Sequence, residues 1–177
     1  MTKKIFTDDD YNSNNGMNTS IWGPCIWFTL HTISFNYPVN PTTSDKVNYK
    51  KWLLSFQHTL PCVYCRNNFK NNLKQANFSD SVFKNRLTFS KFVYNLHNCV
   101  NKMLGKKIEI SYEEVRDRYE HFRSRCVEKT PIANKNSKKE KKCNNPLTGV
   151  KSRTCIRIVP EKSKILDFKM DKLCIKK

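Results

Sequence analysis

The sequence predicts an all-α protein: a four-helix bundle with a short fifth helix, a flexible N-terminal segment and a basic C-terminal tail. Three observations carry this expectation. Apolar residues recur at three-to-four spacing through most of residues 21–126. Strand signals are nearly absent before residue 150. The connections between periodic segments are short, as a bundle requires. The division that follows is a lead-in at 1–20, a helical domain at 21–126 and a tail at 127–177.

The lead-in is polar and contains "NSNNG", which reads as flexible chain. In "SIWGPCIWFTLHTISF" Ser20 offers an N-cap, which keeps Pro24 in the first turn where proline is tolerated. Trp22, Ile26, Thr29/Leu30 and Ile33 make its stripe, and the prolines of "YPVNP" (37–41) end it. A second helix starts at Thr43 or Ser44 and presents Val47, Trp52, Leu53, Phe56 and Leu60. A third begins near Pro61 and runs through Phe69 and Leu73. The fourth carries Phe89, Phe92/Val93, Leu96, Val100 and Met103/Leu104 on one face, with Gly105 as its C-cap. Ser111 and Glu114 form a capping box that opens the fifth. Residues 129–146 are a charged linker with little to bury, and 147–177 are too short for a core of their own.

Composition narrows the function classes. The 177 residues suit one domain, and no stretch approaches the roughly 20 apolar residues of a membrane span. The N-terminus shows no signal-peptide h-region and is a weak mitochondrial presequence, so a cytosol-like compartment is expected. Eight cysteines sit awkwardly there, because cytosolic cysteine clusters are more often metal-binding or redox-active than structural bridges. The net charge of +18 is concentrated late: residues 129–177 carry 15 Lys/Arg against 4 Asp/Glu. Such a tail suits nucleic acid or anionic surfaces. Heavy use of Lys (25) and Asn (20), as from an A/T-rich coding sequence, accounts for it without a partner.

"PCVYCR" (61–66) is the chemical centre of the sequence. Cys62 and Cys65 open the third helix, where free N–H groups and the positive dipole end favour a thiolate; Arg66 and Lys70 add positive charge. A thiol of pKa ~8.5 is about 3% thiolate at pH 7, and one of ~6.5 about 75%, which suits disulfide exchange. A zinc site is the rival, but no second Cys-x-x-Cys or His-x₃₋₅-His completes a four-ligand set. His97 and Cys99 are two apart in mid-helix and point to different sides. A structural bridge is the third reading, though it closes only a tiny loop.

The surrounding residues resemble a known family. "WGPCIWFTLH" (22–31), "YP" (37–38), "LPCVYC" (60–65) and "HNCVNKMLGKK" (97–107) occur in the order and spacing of the Erv/ALR family of FAD-linked sulfhydryl oxidases. The "LPC" and "KKI.IS..E" elements are most similar to the branch encoded by large DNA viruses. The resemblance implies a helical bundle holding FAD noncovalently and catalysing 2 R-SH + O2 to R-S-S-R + H2O2. Cys65 would be the flavin-proximal sulfur and Cys62 the exchanging one. Gly23, Trp27, His31, Tyr37, His97, Asn98, Asn101, Lys102, Lys106, Arg118 and Tyr119 match positions that contact the flavin, with no metal. Asn98 is expected beside the shared face of His97 and Asn101. Tyr119 departs from the family's Trp but keeps an aromatic face.

The resemblance further implies a protein-thiol substrate, such as a thioredoxin-like relay or a virion protein, O2 as acceptor and a homodimer, with no membrane partner. For a viral chain the expected compartment is host cytoplasm, virus factory or virion. Two departures stand out. A second family disulfide would join positions that are Tyr94 and Ser111 here. No shuttle cysteine pair precedes the bundle, which leaves Cys143 and Cys155 of the tail as shuttle candidates, beside Cys126 and Cys174. Non-catalytic alternatives are a helical binding module whose basic tail contacts nucleic acid, and a small zinc-binding interaction protein.

Overall fold

The structure, a computed structural model, describes residues 6–107, 110–124, 143, 146–147, 150–160, 162–165 and 168–175. Cys126 and most of the charged linker lie outside these. The described elements are α1 (Asp8–Asn12), α2 (Thr19–Phe35), α3 (Thr43–Thr59), α4 (Val63–Gln75), a 3-10 turn (Asp80–Phe83), α5 (Arg86–Met103), α6 (Tyr112–Glu120) and a 3-10 turn at Lys172–Cys174. The four long helices and the short α6 are the expected bundle. No described helix is long and apolar enough to cross a membrane.

Side-chain caps fix most boundaries. Thr42 and Asp45 cap α3 reciprocally, Asn85 and Thr88 cap α5, and Ser111 and Glu114 cap α6. α2 corrects the sequence reading. Asn18, not Ser20, is its N-cap, accepting from the Ser20 N–H at 3.0 Å. Pro24 therefore lies beyond the first turn, and the Ser20 carbonyl loses its usual i+4 donor. The asparagine wins because its carbonyl reaches both the Ser20 N–H and the Ser20 hydroxyl, the latter at 2.7 Å.

Two helices end in the same six-residue lock. After α5, Gly105 takes a left-handed φ of 68°, its N–H bonds the Lys102 carbonyl, and Lys106 N–H bonds the Asn101 carbonyl. After α4, Asn77 plays the glycine's part with φ 57°, and Phe78 N–H reaches the Leu73 carbonyl. That turn carries Phe78 inward, where its ring meets Phe83 and Phe92.

The core forms where α2 packs on α5 and α3 on α4, with α5 also against α4. Leu30, Leu53, Phe69, Leu73, Phe89, Phe92, Val93 and Leu96 fill it. The 3-10 turn, unpredicted from sequence, adds Val82 and Phe83. Too short to show a helical period, it reads as loop until its burial is seen. A satellite cluster of Phe35, Tyr112 and Val115 seats α6 on α2. Where the resemblance places a second disulfide, Tyr94 Oη donates to the Ile110 carbonyl at 2.9 Å, and Tyr112 and Ser90 hydroxyls pair at 2.8 Å. Hydrogen bonds thus tie α6 to α5.

The lead-in is more ordered than its polar composition suggests. α1 has its own capping box from Thr7 and Asp10, and Met17 hydrogen-bonds to Pro61. In the tail, Pro146 bridges Ser124, and Phe168 meets Phe122 beyond α6.

Tyr37 is wholly buried, with its hydroxyl donating to the Phe83 carbonyl at 2.9 Å and its ring against Tyr49, Phe83 and Phe89. Tyr37→Phe would leave that carbonyl unpaired in the core. It should destabilise the fold by about 1–3 kcal/mol in urea unfolding with helical content unchanged; an unaltered unfolding midpoint would refute this assignment.

Candidate functional site

Cys62 is the N-cap of α4. Its backbone is extended (φ −146°, ψ 119°), and its sulfur accepts the Cys65 N–H at 3.2 Å. The sulfur therefore occupies the place where a helix ordinarily takes a Ser or Asp oxygen, a position that stabilises negative charge. Both cysteines are free thiols in this structure. Burial pushes the Cys62 thiol up, but the Cys65 side chain, the Cys65 and Tyr64 N–H groups and the Arg66 charge together bring it below its ordinary value. Burial, and then the neighbouring Cys62 sulfur, push Cys65 up to about 11. The two sulfurs are electrically unlike: Cys62 ionises first, and Cys65 keeps its proton. Arg66 is held in place by its donation to the Leu60 carbonyl.

A second group lies between α2 and α5. The Trp27 indole stacks on the His97 ring, centroids 4.0 Å apart and planes 6° from parallel. His31 Nε2 and His97 Nδ1 are 3.1 Å apart, so one ring donates to the other. His31 is only 4% exposed, and its Nδ1 is buried with no hydrogen-bond partner. If Nε2 donates, Nδ1 is a bare acceptor; if Nε2 accepts, Nδ1 is a bare donor. Either way one buried polar atom lacks a hydrogen-bond partner. Burial, then the His97 charge, lower His31 to about 3; burial, then the Lys106 charge, lower His97 to about 4. Lys106 acts on His97 because the turn after α5 folds it back over the helix end.

Around the histidines runs an aromatic row. Tyr119 lies 5.3 Å from His31 and 5.4 Å from Phe35, and Phe28 meets both Tyr119 and Phe122. Burial raises the Tyr119 hydroxyl beyond its usual range. Sequence reading missed Phe28, Phe35 and Phe122. The spacing 28, 31, 35 was the available signal, one face of α2.

The structure brings Trp27, His31, His97, Lys106 and Tyr119 together. It does not bring in Tyr37, which lies in the core. Asn98 and Lys102 line a groove of about 360 Å³ with Gln75, Ala76, Asn77, Asn95 and Cys99, on the α4 side of α5. The helical step of about 100° per residue sets Asn98 beside the face that His97 and Asn101 share. Cys99, besides lining this groove, packs against the core. Asn101 is half-buried and Arg118 exposed. A Cβ on Gly23 would meet no atom within 4 Å, so open space adjoins it. Cys143 is disulfide-bonded, and Cys155 is an exposed thiol. Among the described residues no three His, Cys, Asp or Glu side chains gather as metal ligands.

The Erv1 / Alr family model matches residues 24–120, more than half of the chain. The chain belongs to this family. It is 35% identical over 98 residues to a probable FAD-linked sulfhydryl oxidase of Acanthamoeba polyphaga mimivirus, covering 55% of this chain and 68% of that one. To an FAD-linked sulfhydryl oxidase of African swine fever virus (isolate Tick/Malawi/Lil 20-1/1983) it is 34% identical over 99 residues, 56% of this chain and 80% of the relative. The crystal structure of the yeast Erv1 core superposes with a TM-score of 0.52 at 22% identity, over 67% of this chain and 92% of that one. That last likeness is one of fold.

The neutral histidines make stability pH-dependent. Both pKa values are depressed in the fold, so between roughly pH 4 and 6.5 the unfolded chain binds more protons and stability falls as pH drops. The urea-unfolding free energy should decline from about pH 7 to about pH 4, and less steeply in His31→Gln or His97→Gln. A decline just as steep in both variants would contradict the assignment.

Proposed function

We propose that this chain is an FAD-dependent thiol oxidase that makes disulfide bonds in proteins. The observation that carries the reading is the unlike pair of sulfurs at the start of α4, in a chain of the Erv1 / Alr family. In the oxidised state, a substrate thiolate attacks Cys62 of the Cys62–Cys65 disulfide and releases Cys65. A second substrate thiol then displaces Cys62, so the substrate leaves as a disulfide and the protein keeps both electrons as a dithiol. FAD, held by the Trp27–His97 stack, Tyr119 and Lys106, would supply the acceptor for that electron pair and the route to O2 and hydrogen peroxide.

The chain's own groups fit the cofactor. The Trp27–His97 stack and Tyr119 offer aromatic faces to a planar ring, and the unpartnered His31 Nδ1 suits a polar atom of the ligand. Lys106 suits a phosphate as a point charge, with Lys102 and Arg118 as further cations. Asn98 and Asn101 would supply amides, and the open space beside Gly23 leaves room. The low exchange pKa favours Cys62 as the substrate-facing sulfur, and the high one leaves Cys65 as the sulfur that faces the cofactor. Cys155 is an exposed tail thiol suited to relay electrons, and Cys143 would serve by exchange through its disulfide. A homodimer, and residence in host cytoplasm, virus factory or virion, belong to the same reading.

Purified protein should be yellow and consume O2 with dithiothreitol, releasing peroxide. Cys65→Ser should keep the colour and lose thiol-dependent O2 uptake by at least ~100-fold, since no disulfide can form at the pair. A colourless preparation that takes up no FAD would overturn the reading.

A further inference from the structure

The disulfide chemistry leaves the residues ahead of α2 without a role, yet they touch the backbone that carries Cys62. The Met17 N–H donates to the Pro61 carbonyl at 3.0 Å. The Met17 carbonyl accepts from Trp22 Nε1 at 2.9 Å. The Met17 backbone is thus pinned from both sides, by a helix it precedes and by a loop about forty residues on. Gly16 closes the contact: a Cβ there would lie 2.7 Å from the Pro61 oxygen and 3.4 Å from Cys62 Cα. Both neighbours are backbone and have little room to give, so the glycine is required by close approach. The Met17 side chain is 72% exposed, so what holds this strap is main chain and the Trp22 indole.

Pro61 has no N–H, and the next residue must turn sharply from extended backbone into α4. Cys62 makes that turn with its own sulfur as the cap. Anything that fixes the Pro61 carbonyl fixes the peptide plane from which Cys62 departs. We propose that Gly16, Met17 and Trp22 are positioning residues for Cys62: their strap clamps the Pro61–Cys62 peptide and so keeps the Cys62 sulfur on the α4 N-terminus, where it is activated for exchange. The groups that bear on this sulfur electrically are Cys65, the Tyr64 and Cys65 N–H groups and Arg66, all on α4. Gly16, Met17 and Trp22 carry no charge, and they act on the sulfur through geometry alone.

The significance of this clamp rests on the thiol-oxidase reading, but its test needs neither flavin, O2 nor a protein substrate. The full chain is reduced and treated with iodoacetamide over a range of pH, and alkylation of the Cys62 peptide is followed by mass spectrometry. Gly16→Ala, which wedges the strap away, and Trp22→Phe, which keeps a ring but removes the donor, should raise the alkylation midpoint by about half a pH unit. That is about threefold slower reaction at pH 7. Thermal unfolding monitored by circular dichroism identifies a variant that fails to fold. Met17→Pro, which removes the N–H at an exposed position, stands in for it. Midpoints equal to wild type in the folded variants would overturn the clamp. A raised midpoint supports it even in a preparation without oxidase activity, which separates its failure from that of the functional reading.

Discussion

Every helix must find acceptors for its first N–H groups, and α4 finds one in a cysteine sulfur. A Ser or Asp at position 62 would cap as well or better, so the thiol's presence costs some helix stability. In return, the cap geometry places that sulfur in the field of two backbone N–H groups and Arg66, and lets its partner one turn on remain protonated. The asymmetry between two chemically identical residues follows from their places on one helix: one at the cap, one inside the first turn. Around this, the bundle supplies rigidity. Phe69 and Leu73 anchor α4 in the core, Arg66 ties its first turn to Leu60, and the Met17 strap holds the peptide before it. The sulfur is fixed from the helix side and from the loop side.

The second constraint is an unsatisfied one. A buried polar atom without a partner costs about 1–3 kcal/mol, and His31 Nδ1 is such an atom. A buried and a half-buried neutral imidazole beside a stacked indole make a poor core, since each ring carries polar nitrogens that leucine would not. The arrangement is consistent with a site that is finished by a ligand, and the charge of Lys106 suits an anionic one. The lock after α5 joins the two demands. Its left-handed Gly105 ends the helix and turns Lys106 toward the ring of His97.

Much of this was legible in the sequence, for reasons specific to each element. The Phe89–Leu96 stripe and the Ser111–Glu114 box are local signals, decided within one or two turns, and the structure retains both. The Cys-x-x-Cys at a helix start is local too. What was not legible depends on competition or on distance. Asn18 and Ser20 are both good caps, and spacing cannot rank them; their mutual hydrogen bonds can. Tyr37 matches a motif position, but its hydroxyl is taken by Phe83, which reaches it only because an unpredicted 3-10 turn folds inward. The residues around His31 at 28 and 35 were visible as a stripe, but a stripe reads as core until a histidine is found unsatisfied within it.

The strap shows the same limit most sharply. Residues 13–18 have the composition of a mobile lead-in: small, polar and without periodicity. Their order comes from one hydrogen bond to the Pro61 carbonyl, one from an indole nitrogen and the close approach of Gly16 to the Pro61–Cys62 backbone, none of which leaves a compositional trace. Glycine at 16 looks like flexibility and serves as clearance. A contact made through main-chain atoms tolerates side-chain drift, so the strap asks little of its sequence beyond a small residue, a free N–H and a tryptophan five residues on. The reactivity of Cys62 is thus set partly by a segment that lies outside the bundle.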